Sequence, residues 1–543
     1  MVSFALRDRA DRPGPRPARR ASWSLGLLCA ALALPAAAPL QAQTPAPLPT
    51  LGHSEGISLG AERELGDRIA RELYRDPDHL EDPVLDEYLQ RLWEPLVQAA
   101  VRRGELSTEL RERFAWRILI GRDRSINAFA LPGGYLGVHL GLIAGVGSDD
   151  ELASVLAHEL SHVTQRHIAR SIDDQARMTP LVIGSMILGA LAASKSAQGA
   201  QALIVGGQAA ALQQQLRYSR DMEREADRIG YAVHTEAGYD PQGFAGMFGR
   251  LQQASALNDS GAFPYLRSHP LTTERIADMQ ARQSLQAPRV PPPPDTVQAL
   301  MAARARLLAM QGSDSLQAWA AEPQPEPGQS TAERAGRLYA AVLARLRLGD
   351  SATAWRHVQA LQAVVAGQPA AERQVRLLQA EVLAAQGAWA QGLQVLHGGS
   401  DSASGRADWS RPALIATGQA LAQLPSPLLR SPVYAELQAQ ALTRLRERVQ
   451  QVPADAQAWQ VLAQLQRASG QPLAALRAEG EAQVARLDDA GALDRFRAAQ
   501  DLARRGPLQA GEHIEASIID TRLREVQARL RAQIEAARRA GPS

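Results

Sequence analysis

The 543-residue sequence holds one cysteine, Cys29, and one lysine, Lys195. A lone cysteine excludes a disulfide framework within the chain and any site built on thiolates, so a bound metal must draw its ligands from His, Asp or Glu. With lysine nearly absent, positive charge rests on Arg, and a net charge of +2 argues against a nucleic-acid binder that works through a basic face. Aromatic residues make up only 4% of the chain. Alanine, leucine and glutamine abound instead, which favours helix over sheet. A long hydrophobic run is also missing from the body of the chain. Its most apolar stretch, Pro180 to Leu212, is broken by Ser194-Lys195-Ser196 before it reaches the ~20 residues of a membrane helix. It reads as buried or cleft-lining helix, a membrane span being the alternative, with peripheral membrane contact left open.

The N-terminus is patterned for export. Arg7, Arg9, Arg12, Arg16, Arg19 and Arg20 precede an apolar run from Leu25 to Ala38, and small residues follow to Ala42. That order marks residues 1–42 as a cleaved signal peptide, an uncleaved anchor being the alternative. Leu28 stands where a lipobox needs a small residue before Cys29, which disfavours a lipoprotein. Cleavage would remove Cys29 together with six Arg and two Asp, taking the net charge from +2 to −2. The expected destination is the periplasm, where a chain with a large core needs no disulfide.

What remains is too long for one core. Residues 53–285 read as a compact, mainly α domain with a small β-sheet. Its strands are expected at Trp116–Ile120 and at Ile126–Leu131 and Tyr135–Val138, which flank the turn Pro132-Gly133-Gly134. A Pro-rich linker spans 286–296, and a second Pro-rich break falls at Glu322 to Gly328. Residues 297–500 carry no strand signal and a degenerate helical repeat. Trp459, Leu462, Ala463, Gly470, Ala475 and Ala482 fall at tetratricopeptide offsets, and Ala380, Leu383, Gly387, Gly392 and Leu396 repeat part of them. Gly349, Ala354 and Val358 repeat it more faintly. An all-α tetratricopeptide-like solenoid is therefore expected there, with an irregular bundle as the alternative, and a helical segment over 501–543.

The chemistry lies in Glu151-Leu-Ala-Ser-Val-Leu-Ala-His158-Glu159-Leu160-Ser161-His162. Leu152, Val155 and Leu156 define one helical face. Histidines four apart lie one turn apart on a helix, so His158 and His162 can reach one Zn²⁺. Glu159 then stands where it can take a proton from water. Two surface histidines on an amphipathic helix are the plain alternative. The positions of the metzincin third histidine and its glycine hold Ile168 and Gln165, and His167 falls roughly 140° around a continuous helix from His162, away from the metal. Glu223, in Arg220-Asp-Met-Glu-Arg-Glu-Ala-Asp227, is the carboxylate that could complete a two-His, one-Glu site. Asp227, one turn on, could accept the N–H of a ligand histidine. By itself this segment reads as a charge-rich exposed helix; paired with the upstream motif it reads as functional.

These motifs, with Ser268-His269-Pro270-Leu271-Thr272-Thr273-Glu274-Arg275, resemble the gluzincin metallopeptidases that include HtpX and the CAAX prenyl proteases. The resemblance implies a zincin-type fold and one Zn²⁺ per chain, with His158, His162 and Glu223 as ligands, Glu159 as general base and Asp227 behind a ligand. It also implies that Asn127-Ala128-Phe129-Ala130 is the edge strand beside which a substrate peptide lies. The export signal and repeat half resemble periplasmic members of the family. That likeness implies unfolded or misassembled substrates and the outer-membrane barrel assembly machinery as partners. His269, set before Pro270 at a chain reversal, is expected to reach the metal as a latching fourth ligand or as an oxyanion donor, a surface histidine being the alternative. Two other functions compete with a peptidase: a chaperone or adaptor whose protease site is mostly latent, and a zinc hydrolase of non-peptide substrates.

Overall fold

The computed structural model describes residues 57–173, 220–256, 265–284, 294–321, 326–398 and 407–539. The signal segment, the stretch from Pro180 to Leu212, most of the Pro-rich linker and the start of the second Pro-rich break lie outside the described residues.

The first helices begin on side-chain caps. Ser58 opens α1 (Leu59–Arg75), and Asp82 opens α2 (Pro83–Arg102), where Pro83 occupies a first-turn position that needs no N–H. Ser107 caps the short α3 (Thr108–Arg113). A four-stranded sheet follows: β1 (His79–Leu80), β2 (Arg117–Gly121), β3 (Ala128–Leu131) and β4 (Tyr135–His139), in the order β1-β2-β4-β3. β2 pairs with β4 in parallel, while β1 with β2 and β3 with β4 are antiparallel. β2 starts one residue later than the sequence suggests because Trp116 takes a left-handed conformation, φ 50°. The β3–β4 turn needs its glycines: a Cβ on Gly133, φ 72°, would stand 2.8 Å from Arg63 Cα.

Helices α4 (Leu140–Gly145), α5 (Asp149–Thr164) and α6 (His167–Asp173) follow, then α7 (Arg220–Glu236), α8 (Gln242–Ala256), the turn α9 (Tyr265–Ser268) and α10 (Thr273–Ser284). From α11 (Thr296–Ala309) onward every described element is helical. Helix pairs 331–347 with 351–364, 369–385 with 389–397 and 456–468 with 472–485 turn at Gly349, Gly387 and Gly470, with φ of 79°, 71° and 73°. These are three of the glycines that mark the repeat in the sequence.

The change of composition after residue 285 does not interrupt the core. One buried cluster runs from Val84 through Leu300, Tyr339 and Leu378 to Ala413. Arg304 of α11, 5% exposed, lies at this junction. Its Nη2 donates to Asp82 Oδ2 at 2.7 Å, and its Nη1 donates to the Tyr339 hydroxyl at 3.1 Å and to Glu381 at 2.9 Å. Asp82 is thus both the cap of α2 and the anchor of the helical array. The array curves back on the sheet: Arg486 pairs with Glu81 at 2.6 Å, and Arg117 of β2 donates to the Ala485 carbonyl at 2.8 Å.

Removing one member of a buried, hydrogen-bonded ion pair strands its partner's charge, at a cost of ~3–5 kcal/mol. Arg304→Ala is accordingly expected to lower unfolding stability by about that amount. Urea unfolding followed by circular dichroism measures it; a loss below ~1 kcal/mol would show that Asp82 finds solvent or another partner.

Candidate metal centre

α5 carries His158, Glu159 and His162. Ser148 accepts from Glu151 N at 3.1 Å, and Asp149, Asp150 and Glu151 complement the positive end of the helix. Every residue from Leu152 to Thr164 is buried. Polar side chains in that span must therefore satisfy one another or bind something. His158 and His162 bring their Nε2 atoms to 3.0 Å.

α7 crosses α5 closely because Gly230 faces it; a Cβ there would stand 3.1 Å from Ala157 O and His158 N. The close crossing delivers Glu223 and Asp227. Glu223 Oε1 is 3.5 Å from His162 Nε2, and its Oε2 is 3.5 Å from His158 Nε2. His269 enters from the end of α9 with Nδ1 2.9 Å from Glu223 Oε1 and 3.3 Å from His158 Nε2. The Tyr265 ring stacks on His269, centroids 4.5 Å apart, and the Tyr265 carbonyl accepts the His269 N–H at 2.9 Å. His158, His162, Glu223 and His269, all buried, thus set one ligand atom each within 4.8 Å of one another.

These separations suit a tetrahedral ion. Four ligands at the ~2.0–2.1 Å bond lengths of zinc stand roughly 3.3–3.4 Å apart. Electrostatics agrees. Asp227 Oδ1 lies 3.0 Å from His158 Nδ1, so that nitrogen donates, and in the neutral ring Nε2 turns its lone pair toward His162. Arg275 of α10 grips Asp227 through Nε at 2.6 Å and Nη2 at 2.8 Å, and reaches Glu223 Oε2 through Nη1 at 2.8 Å. The carboxylates of Glu159, Glu223 and Asp227 therefore outnumber the one guanidinium by two charges, which a divalent cation cancels. Burial opposes a charge on His158, yet Asp227 and Glu223 push its pKa up to about 10. Burial, joined by the charge of His158, drives His162 well below its ordinary range. Glu223 lies well below the usual carboxylate range: burial works against this, but His269 and His158 outweigh it. The pocket calls for positive charge where the ligand atoms converge.

Glu159, next to His158, is fully buried, and neither carboxylate oxygen has a hydrogen-bond partner. His269 Nε2 stands 3.5 Å from its Oε1. A buried, unsatisfied carboxylate is expensive unless it serves a reacting group. Asn127 is likewise buried at the head of β3, an edge strand that packs on α5; its Oδ1 has no hydrogen-bond partner. Ala128, Phe129 and Ala130 lie along that strand.

The structure brings together His158, His162, Glu223, His269, Glu159 and Asp227. It also adds groups the sequence did not single out. Arg275 sits inside a motif whose histidine drew attention, and Tyr265 carries no spacing signal. His167 does not turn away from the site: α5 stops at Thr164, Arg166 takes φ 52°, and α6 restarts at His167. The kink returns His167 Nδ1 to within 2.8 Å of His162 Nδ1. Arg166 is tied in that conformation by Nε donating to the buried Glu62 carboxylate at 2.8 Å.

Two histidines one turn apart with an adjacent glutamate, plus a carboxylate from a second helix, define a gluzincin-type metallopeptidase centre. Residues 84–283 match the model of peptidase family M48. Among curated proteins the chain is 37% identical over 285 residues to a putative beta-barrel assembly-enhancing protease of Vibrio cholerae, covering 52% of this chain and 56% of that one. It is 35% identical over 265 residues to the beta-barrel assembly-enhancing protease of Escherichia coli, covering 48% and 52%. The mitochondrial metalloendopeptidase OMA1 of Arabidopsis thaliana is 31% identical over 199 residues, 36% of either chain. The chain thus spans about half the length of the two bacterial relatives.

Replacing a ligand should separate from replacing the base. His158→Ala, His162→Ala and Glu223→Ala are each expected to lose metal on dialysis, whereas Glu159→Gln keeps about one ion per chain, the expected stoichiometry of a single centre. Atomic emission measures both, and full metal in Glu223→Ala would remove that carboxylate from the ligand set.

Proposed function

We propose that this chain is a zinc-dependent endopeptidase of the periplasm that cleaves unfolded or misassembled proteins, outer-membrane barrel proteins among them. The observation that carries the chemistry is Glu159: a buried carboxylate with no hydrogen bond to either oxygen, beside four converging side chains that could hold a metal. Bound zinc supplies Lewis acidity toward the scissile carbonyl and toward water. Glu159 takes the proton of the attacking water and delivers it to the leaving amine. Asp227 holds His158 by its Nδ1–H, and Arg275 holds Asp227 and Glu223. An extended peptide adds to the outer edge of β3 through its main chain, with Asn127 Oδ1 accepting one amide at the entrance; affinity then asks little of the peptide's sequence. That mode suits chains that have not folded. The helical array, read as tetratricopeptide-like, chooses partners, and the names of the bacterial relatives point to the barrel assembly machinery.

A second reading is favoured by one observation. His269 converges with His158, His162 and Glu223, and an ion held by all four would have no open position left for substrate. In that state the chain acts as a chaperone or adaptor with a latent protease site.

Degradation of an unfolded outer-membrane barrel protein is expected to stop on chelation, to return with zinc, and to fall ~10²–10⁴-fold in Glu159→Gln. His269→Ala discriminates the two roles of that residue: faster turnover identifies a plug, and a fall of ~10²-fold or more an oxyanion donor. Proteolysis that persists in full after chelation and in Glu159→Gln would sink the proposal.

A further inference from the structure

The two helix histidines of the centre meet different groups on their outer sides. His158 Nδ1 faces the Asp227 carboxylate, while His162 Nδ1 faces another imidazole, His167 Nδ1, at 2.8 Å. His167 is fully buried, and its Nε2 lies 3.1 Å from Glu225 Oε2, which Arg170 Nη1 also engages at 2.8 Å. Arg170 is about half exposed, so the chain of contacts runs from the centre to the surface.

The direction of this chain follows from what each group can donate. A carboxylate paired to a guanidinium only accepts, so His167 Nε2 carries its hydrogen and donates to Glu225. A neutral imidazole has one N–H; His167 Nδ1 is then bare and accepts. The hydrogen between the two rings therefore belongs to His162 Nδ1, which leaves His162 Nε2 bare and aimed at Glu223, His158 and His269. The opposite tautomer of His162 would put a hydrogen where a ligand lone pair is needed.

We propose that His167, oriented by Glu225, is a positioning residue that fixes the tautomer and ring plane of His162 and thereby sets the metal affinity of the centre. The inference rests on the metal-binding reading above. Geometry gives the reason such a residue is needed. Three carboxylates of α7 divide the work: Asp227 faces His158 Nδ1, Glu223 faces the inner nitrogens of both histidines, and Glu225 meets His167 Nε2, so that His167 stands between that helix and the outer side of His162. The left-handed kink at Arg166 places His167 there by folding the next helix back. A non-glycine residue in that conformation is disfavoured and persists only where its surroundings hold it, as Glu62 holds Arg166.

The test is zinc affinity of the full chain by competition with a chromophoric chelator, with the cobalt d–d spectrum as a second readout of ligand geometry. His167→Phe fills the space without an acceptor and is expected to weaken zinc ~10–100-fold and to alter the cobalt spectrum. His167→Asn places an oxygen near the Nδ1 position, able to accept from His162, and is expected to recover most of the affinity. Wild-type affinity in His167→Phe, or equal weakening in the Phe and Asn variants, would overturn the proposal. If the Phe variant does not fold, His167→Ala takes its place against Asn under the same criteria. A wild-type chain that binds no zinc in this assay would overturn the metal-site reading itself, which separates the two failures.

Discussion

Two imidazole nitrogens held 3.0 Å apart in a dry interior cannot both present lone pairs unless positive charge lies between them. That constraint organises the molecule. Asp227 and His167 make the outer nitrogens of His158 and His162 donors, which in the neutral rings leaves both inner nitrogens bare. Glu223 adds negative charge to the same point, and Arg275 tempers the surplus without cancelling it. Such a cluster is self-consistent only around a proton or a cation, and its spacing and its two missing positive charges both suit a divalent ion.

The fold can be understood as the means of holding this cluster still. α5 is enclosed along its functional length, so its side chains have little freedom to escape one another. Gly230 lets α7 approach until two carboxylates one turn apart serve two different purposes. The Arg275 side chain fastens the His269 loop by donating to the Pro270 carbonyl at 2.9 Å, while Thr272 accepts the Arg275 N–H at 3.3 Å to start α10. Farther out, Asp82 joins the α2 cap to Arg304, so the helical array and the catalytic layer share one buried cluster. The array is thereby packed against elements that flank the site.

Much of this was legible in the residues. The helical period alone places His158 beside His162 and Glu223 beside Asp227, since each pair lies on one helix and local geometry settles it. The family resemblance assigned the two pairs to one centre, which spacing could only suggest. The β3–β4 turn was visible in Pro132-Gly133-Gly134. Three features were not legible, and two of them depend on contacts distant in sequence. Trp116 leaves the strand because of its backbone conformation. His167 returns to the site because Glu62 and its neighbours stabilise a left-handed Arg166. The composition change after residue 285 looks like a boundary, yet Leu300 and Tyr339 pack into the same core as Val84 and Leu85. Composition reports what a segment is made of and says little about what it packs against.

The central claim is that one divalent metal ion sits among His158, His162, Glu223 and His269. Anomalous X-ray diffraction from crystals of the zinc-loaded chain, recorded on both sides of the zinc edge, tests it most directly. The account predicts one strong peak within ~2.0–2.3 Å of the converging Nε2 atoms of His158 and His162 and of a Glu223 oxygen. A metal-loaded crystal with no peak there, or with its peak elsewhere in the chain, would contradict it.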